Sequence, residues 1–261
     1  MEITDLQQKA ADLLWEAEMT HSAIDPLTDL IPELQVSDSY AVQLININRK
    51  LNSGQSIRGH KIGLSSKAMQ KMMGVNEPDY GHLLDDFFHS NGDTIPTGKY
   101  FIPRIEVEMA YVLGKPLPAP NCTVEDVINA TEYIQPALEL IDSRIKDWKI
   151  KLVDTISDNA SSAGLILGGQ KADPKIITPK LIGANLSKNG KIIATGAMGG
   201  VLNDPTIAVA WLANKVHQFG VTLEAGHVIL PGSCTKAFDV LPGDHIIATY
   251  DGLGKIEVGF S

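Results

Sequence analysis

The sequence predicts an α+β fold in which a helical N-terminal segment of about sixty residues precedes a β-rich body. Two observations support this fold class. The first sixty residues contain two amphipathic helical patterns, whereas short apolar runs typical of strands dominate the rest. These runs also do not alternate with helices in the regular order of a parallel α/β sheet. We therefore expect a helical segment at 1–60 and a β-rich region at 61–261, joined as one continuous structural unit.

Composition and charge exclude several classes of protein. The chain has 261 residues, of which 44% are hydrophobic and 20% charged, enough for a substantial core without disulfides. Its formal net charge of −9, with no basic stretch, argues against nucleic acid or an anionic membrane as partner. The N-terminus lacks a basic region followed by an apolar one, and Cys122 and Cys234 form no metal-binding or disulfide motif. We expect a cytoplasmic protein.

Helical spacing and capping residues predict four helices. They run from Thr4 to about Thr20, from about Ser37 to Gly54, over a short stretch opening at Thr123, and from Pro205 to Gly220. The first opens with a capping box, "TDLQ". The last has Asp204 as its N-cap and a proline at its first position, where the missing N–H costs nothing.

Eight short apolar runs predict strands. These are Ile105–Leu113, Ile134–Ile141, Gly164–Leu167, Leu181–Leu186, Lys191–Thr195, Val228–Leu230, His245–Tyr250 and Lys255–Phe260. The pair Asn189-Gly190 predicts a tight hairpin between the fourth and the fifth. The segment "DGLG" predicts another between the last two.

Three glutamates lie inside these apolar strands. Glu106 and Glu108 in "PRIEVEMAYVL" are two residues apart and therefore share one face of a strand. Glu139 occupies a second strand, in "PALELID". Carboxylate oxygens are the preferred ligands of Mg²⁺ and Mn²⁺, so the set is a candidate metal site. A solvent-facing strand with alternating glutamates explains the spacing equally well, since exposed faces of antiparallel sheets are common.

Three further motifs contain candidate site residues. Lys61 lies between two glycines in "GHKIGL" and could act as an acid or hold a carboxylate, although most lysines are simply exposed. Asp79 lies in "EPDYGH", where Pro78 and Gly81 favour a turn. The stretch "SDNASS", with its small and hydroxyl residues, suits close backbone approach to a small anionic ligand.

Six segments, taken in order, resemble the hydratase/decarboxylase family of aromatic meta-cleavage pathways, within the wider fumarylacetoacetate hydrolase fold. They are "GHKIGLSSKAMQKMMGV", "EPDYGHLLDD", "PRIEVEMAYVLGKPL", "ALELIDSRIKDWK", "DTISDNASSAGLILGG" and "LPGDHIIATYDGLGKIEVGF". The resemblance covers nearly the whole chain. It implies a mixed β-sheet roll flanked by helices.

The resemblance also implies roles for individual residues. Glu106, Glu108 and Glu139 are expected to bind Mg²⁺ or Mn²⁺. Lys61 and Asp79 are expected to be catalytic. The expected substrate contacts are Ser161, Arg104 and Ser233. Arg104 and Arg58 are candidates for binding a second carboxylate, although a structural or exposed role is the more common one for such an arginine. The family further implies a homo-oligomer that can associate with a related decarboxylase.

The implied reaction is addition of water to a 2-hydroxy-2,4-dienoate or 2-oxo-alkenoate. Two substrates remain open, 2-hydroxypenta-2,4-dienoate and the C7 dicarboxylate 2-oxohept-4-ene-1,7-dioate, because different segments resemble the enzymes for each. Ile145 after "DSR", where decarboxylases have an aromatic residue, favours a hydratase. The alternatives are a 4-oxalocrotonate decarboxylase and, less favoured, a metal-binding partner subunit without activity.

Overall fold

The computed structural model describes residues 3–261. Its α-helices are α1 (Asp5–Thr20), α2 (Leu27–Leu30), α3 (Val36–Asn52), α4 (Lys67–Met73), α5 (Val124–Ala130), α6 (Leu152–Ser157) and α7 (Pro205–His217). Its strands are β1 (Ile57–Gly63), β2 (Asp79–Leu84), β3 (Phe88–Ser90), β4 (Thr94–Ile95), β5 (Arg104–Leu113), β6 (Thr131–Ile141), β7 (Ser162–Leu167), β8 (Gly183–Lys188), β9 (Lys191–Ala197), β10 (Val228–Leu230), β11 (Phe238–Asp239), β12 (His245–Tyr250) and β13 (Gly254–Phe260).

Eight strands form a curled mixed sheet, which we call the roll. Its order is β2-β1-β10-β5-β6-β7-β3, with β11 paired with the beginning of β5. Most neighbours are antiparallel, but β1 and β10 are parallel, as are β3 and β7. The curl brings the loop before β7 against β2, where the Asn159 side chain bonds to the main chain of His82. The predicted mixed-sheet roll with flanking helices is confirmed.

A second sheet, in the order β4-β13-β12-β8-β9, shares a large hydrophobic core with one face of the roll. Tyr250 joins the two, since its buried hydroxyl donates a hydrogen bond of 2.7 Å to the Ala137 carbonyl of β6. The other face carries a smaller apolar cluster that includes Leu83, Ala110 and Leu165. Strand alternation places Glu108 and Glu139 on this second face, in line with that cluster.

The N-terminal helices pack together and against α6, around Ala10, Leu14, Val42 and Ile145. The capping box predicted at Thr4 is present. Strand β1 begins within the predicted helical segment, and the division at residue 60 stays a prediction. No described helix combines the length and apolar character needed to cross a lipid bilayer.

The turn predicted around Pro78 and Gly81 is wrong, because Asp79–Leu84 is a fully buried strand. Gly81 serves close packing instead. A Cβ at this position would lie 2.3 Å from the Asn159 carbonyl oxygen. Strand β1 was likewise not predicted, since its Gly-His-Lys sequence lacks the apolar alternation of a half-buried strand.

Candidate active site

Three glutamates converge on one face of the roll. Glu106 and Glu108 alternate along β5, and Glu106 lies directly opposite Glu139 of β6. One carboxylate oxygen from each lies within 4.8 Å of the others. Glu108 and Glu139 are fully buried, whereas Glu106 is half-buried. The solvent-facing interpretation of these strands is therefore wrong, and the predicted shared face is confirmed.

Most of the buried carboxylate oxygens lack hydrogen-bond donors. Glu108 Oε2 accepts a bond of 2.8 Å from the Gly232 N–H. Glu108 Oε1 and Glu139 Oε2 accept no hydrogen bond from any described residue, and Glu139 Oε1 has only an ion pair with Lys61. Burial and mutual repulsion raise the pKa of Glu108 well above its usual value, and that of Glu106 to about 7. Clustered carboxylate oxygens with so few donors fit a hard divalent cation, which would supply the missing positive charge.

Lys61 is the cation of this cluster. Its side chain extends from β1, is about 4% exposed and places Nζ 3.3 Å from Glu139 Oε1. Nζ also donates a hydrogen bond of 3.1 Å to the Ala160 carbonyl. Burial alone would lower the pKa of Lys61, but the neighbouring carboxylates, Glu139 above all, raise it above its usual value. Lys61 is therefore a buried ammonium and not a surface lysine.

Asp79 is the fourth carboxylate of the site and begins β2 opposite Gly63. Burial raises its pKa, and the Lys61 ammonium partly opposes that effect. Oδ1 accepts no hydrogen bond from the described part of the chain. A Cβ on Gly63 would lie 2.1 Å from this atom, so the glycine makes room for the carboxylate. Gly63 thus permits close packing of β1 against the Asp79 carboxylate.

The "SDNASS" segment forms a strained turn beside Lys61. Asn159, Ala160 and Ser161 all have left-handed backbone angles, with φ of 53°, 49° and 57°. Non-glycine residues in this region cost about 1–3 kcal/mol each, and such strain is concentrated at functional sites. Ala160 supplies the carbonyl that accepts the Lys61 bond, and Ser161 is buried next to it. The backbone of this turn thus contacts Lys61, and close approach of the segment to a small anionic ligand stays a prediction.

Arg104 lies on the same face of β5 as the glutamates, at its beginning. Its guanidinium is part-exposed, bonds through Nε to Asp239 at 2.7 Å and lies 4.4 Å from the centre of the Trp148 ring. The half-buried Ser233 instead ties its loop to β5, because its Oγ bonds at 3.1 Å to both the N–H and the carbonyl of Val107. The substrate contacts assigned to Arg104, Ser161 and Ser233 stay predictions.

Two buried histidines flank the lysine strand. The rings of His60 on β1 and His82 on β2 have centroids 4.8 Å apart. Neither ring nitrogen of His60 nor Nδ1 of His82 bonds to a described residue. Burial lowers both pKa values, that of His82 to about 4. Both rings are therefore neutral at pH 7.

Comparison with known proteins places this geometry in a family. The family model described as "Fumarylacetoacetate (FAA) hydrolase C-terminal" matches residues 61–260, which include all five acid and lysine residues of the site. The chain belongs to the fumarylacetoacetate hydrolase family. The family prediction made from the sequence is confirmed.

Relatives within this family cover nearly the whole chain. A 2-oxo-hept-4-ene-1,7-dioate hydratase of Escherichia coli is 46% identical over 256 residues, covering 96% of each chain. A 2-keto-4-pentenoate hydratase of Paraburkholderia xenovorans strain LB400 is 39% identical over 254 residues, covering 97% of this chain and 94% of the relative. A solved 4-oxalocrotonate decarboxylase from Pseudomonas putida G7, complexed with magnesium and adipate, superimposes with a TM-score of 0.94 at 36% identity, covering 100% of both chains.

Sequence reasoning missed the residues that support the site without joining the acid cluster. Asn159 fixes the strained turn to β2, and Gly232 donates its N–H to Glu108. The polar "SDNASS" segment points to Asn159. No local pattern points to Gly232, because this residue and Glu108 are 124 residues apart.

The neutral His82 predicts acid sensitivity. Its pKa is about 4 in the fold against 6.5 for an unperturbed histidine, so unfolding binds a proton below pH 6.5. The stability associated with the neutral ring is complete above pH 6.5 and is lost as the pH falls toward 4. Between pH 7 and pH 5 we expect wild type to lose about 2 kcal/mol more unfolding free energy than His82→Gln.

Urea unfolding followed by circular dichroism at both pH values measures this difference. His217→Gln, at an exposed histidine, is the matched control and should lose as much as wild type. An equal loss in His82→Gln and wild type would contradict the assignment.

Proposed function

We propose that the protein is a divalent-metal-dependent hydro-lyase that adds water to a 2-hydroxy-2,4-dienoate, giving a 4-hydroxy-2-oxo acid in the breakdown of aromatic compounds. The observation that carries the proposal is the buried cluster of three glutamates beside the Lys61 ammonium. The curated hydratases that match over nearly the whole chain support the same reaction class.

Glu106, Glu108 and Glu139 would hold the cation. All three offer only oxygen donors, which favours Mg²⁺ or Mn²⁺ over zinc. The related decarboxylase structure contains magnesium, which supports the same class of ion here. When bound, such an ion supplies Lewis-acid polarisation of substrate oxygens.

With 2-hydroxypenta-2,4-dienoate the proposed reaction has two stages, isomerisation to a 2-oxo-3-enoate and addition of water. A proton adds to C5 while the C2 hydroxyl loses its proton, which gives the 2-oxo-3-enoate. Water then loses one proton as its oxygen bonds to C4, and the π electrons move through C3 to the C2 oxygen. The C2 carbonyl re-forms as a proton adds to C3, and the net change is one water molecule gained.

The chain's own residues have distinct roles in this scheme. The Lys61 ammonium offsets the negative charge that develops on the C2 oxygen, and it can pass a proton to the substrate. Asp79, buried beside it, orients the ammonium or the substrate. Glu106 is half-buried and would orient the attacking water. Ser161, on the strained turn, would contact the substrate.

Arg104 is the proposed contact for a second carboxylate. Its Nε is bonded to Asp239, but neither Nη group donates to a described residue. These two groups suit a carboxylate at the far end of a C7 substrate. We therefore place 2-oxohept-4-ene-1,7-dioate ahead of the C5 monocarboxylate as substrate.

Decarboxylation is the second candidate function. Its support is the close superposition on a 4-oxalocrotonate decarboxylase that holds adipate, a six-carbon dicarboxylate. The same charge stabilisation at a 2-oxo group serves loss of CO₂ from a vinylogous oxo acid. Assembly as a homo-oligomer, association with a decarboxylase and a cytoplasmic location stay predictions.

An assay of the purified protein with Mg²⁺ tests the proposal. The substrates are 2-hydroxypentadienoate, its C7 dicarboxylate analogue and 2-oxohex-3-enedioate, with products identified by NMR in D₂O. We expect 4-hydroxy-2-oxo acids, with deuterium at C3 and C5 of the C5 product, and no turnover with a chelator. Release of CO₂ from 2-oxohex-3-enedioate without hydration of the other two would favour decarboxylation, and consumption of none would refute both.

Glu108→Gln should weaken Mn²⁺ binding by about tenfold or more, because it removes one anionic ligand and keeps the side-chain volume. Titration calorimetry measures the affinity. Glu132→Gln is the matched control, since Glu132 is an exposed glutamate on the same strand as Glu139, and its affinity should equal that of wild type. Unchanged affinity in Glu108→Gln would remove this residue from the ligand set.

Lys61→Met should lower turnover by about 10²–10⁴-fold, because it removes the ammonium beside the reacting oxygen. Binding of Mn²⁺ should be retained or strengthened, since a repelling positive charge is lost. Steady-state kinetics and calorimetry measure both. Lys67→Met, at an exposed lysine of α4, is the control and should match wild type. Near-wild-type turnover in Lys61→Met would rule out the proposed role.

Arg104→Met should reduce kcat/KM for the C7 dicarboxylate by about 10- to 100-fold relative to 2-hydroxypentadienoate, because one charge-assisted contact is lost. Competition between the two substrates in one reaction gives this ratio directly. Arg58→Met, at an exposed arginine of β1, is the control and should leave the ratio as in wild type. A ratio that shifts with Arg58 and not with Arg104 would reassign the contact.

A further inference from the structure

We infer that Asn159 is a positioning residue that holds the left-handed turn 159–161 so that the Ala160 carbonyl faces the Lys61 ammonium. The inference rests on the proposed function only for the role of Lys61. Asn159 itself contributes no atom to the acid cluster.

The Asn159 side chain forms a two-bond clamp on β2. Its Oδ1 accepts a hydrogen bond of 2.7 Å from the His82 N–H, and its Nδ2 donates one of 2.9 Å to the His82 carbonyl. The amide thus pairs with a strand as a neighbouring peptide group would. Gly81 permits this approach, because a Cβ there would lie 2.3 Å from the Asn159 carbonyl oxygen.

The turn needs such support because three successive non-glycine residues are left-handed. One end is anchored by Asp158, which accepts hydrogen bonds from the Arg144 side chain and main chain. The other end runs into β7. Between them, the Asn159 clamp is the contact that fixes the turn to β2, the strand that also carries Asp79.

The clamp matters to Lys61 because Ala160 is the next residue. Its carbonyl accepts a hydrogen bond of 3.1 Å from Nζ, which otherwise contacts Glu139 at 3.3 Å. Without the clamp the turn can relax to less strained angles, and the carbonyl would leave the ammonium. Lys61 would then lose the contact that orients its ammonium toward the substrate oxygen.

We expect the proposed metal ligands to keep their positions when the clamp is lost. Glu106, Glu108 and Glu139 lie on β5 and β6, whose pairing does not involve the turn. Loss of the clamp therefore predicts a fall in kcat while the affinity for Mn²⁺ stays constant. A general loss of structure would lower both.

Asn214 provides a matched control for loss of a clamp. Its Oδ1 accepts a bond of 2.8 Å from the Cys122 N–H, and its Nδ2 donates one of 3.0 Å to the Cys122 carbonyl. These two bonds have the same pattern as the Asn159 clamp and join α7 to the segment before α5. Neither α7 nor that segment carries a residue of the proposed site. Asn214→Ala should lower the melting temperature and leave kcat within twofold of wild type.

The experiment compares Asn159→Ala, Asn159→Asp and Asn214→Ala. We expect kcat of Asn159→Ala to fall by about 10- to 100-fold, with Mn²⁺ affinity within twofold of wild type. Asn159→Asp keeps the acceptor for the His82 N–H and loses the donor, so its kcat should be intermediate. It also serves as the test variant if the alanine variant fails to fold.

A crystal structure of the folded Asn159 variant gives a readout that does not depend on activity. We expect the distance from the Ala160 oxygen to Lys61 Nζ to exceed 3.5 Å. An unchanged contact, wild-type kcat, or an equal fall in kcat and Mn²⁺ affinity would overturn the inference. A wild-type protein that hydrates none of the dienoates would refute the proposed function instead, and the crystallographic distance would still decide the role of Asn159.

Discussion

Four carboxylates, three of them buried, around one buried ammonium are the constraint on which the site depends. Glu106, Glu108, Glu139 and Asp79 surround Lys61. Ionised together they exceed its charge, and repulsion inside a protein is only weakly screened. Burial and repulsion disfavour the ionised carboxylates, and the raised pKa values of Glu108 and Asp79 reflect this. A divalent cation removes most of that repulsion, so charge balance points to the ion as part of the working structure.

The fold holds these charges together through strand pairing and through glycines that let main chain and polar groups approach closely. The pairing of β5 with β6 places Glu106 opposite Glu139, and the pairing of β1 with β2 places Asp79 opposite Gly63, two residues from Lys61. Gly63 and Gly81 leave room where a Cβ would collide with a polar group. The strained turn at 159–161 then supplies a carbonyl to the ammonium. Rigid strands thus hold the anions, and a supported turn orients the cation.

The sequence predicts the parts of this site that follow from local periodicity. A period of two places Glu106 and Glu108 on one face, and apolar runs predict eight of the thirteen strands that residues 3–261 form. Burial of Lys61 was not predictable, because it arises from pairing of β1 with β2 and β10. Asp79 was assigned to a turn because proline and glycine favour turns locally, whereas tertiary packing made it a strand. The predicted roles of individual residues came from the family resemblance and not from periodicity.

We propose that the three glutamates hold one divalent cation beside the Lys61 ammonium. Anomalous scattering from a crystal of the protein grown with Mn²⁺ locates this ion. We expect a single strong peak at about 2.0–2.2 Å from one oxygen each of Glu106, Glu108 and Glu139. A peak elsewhere, or none at these glutamates when Mn²⁺ is saturating, would contradict it.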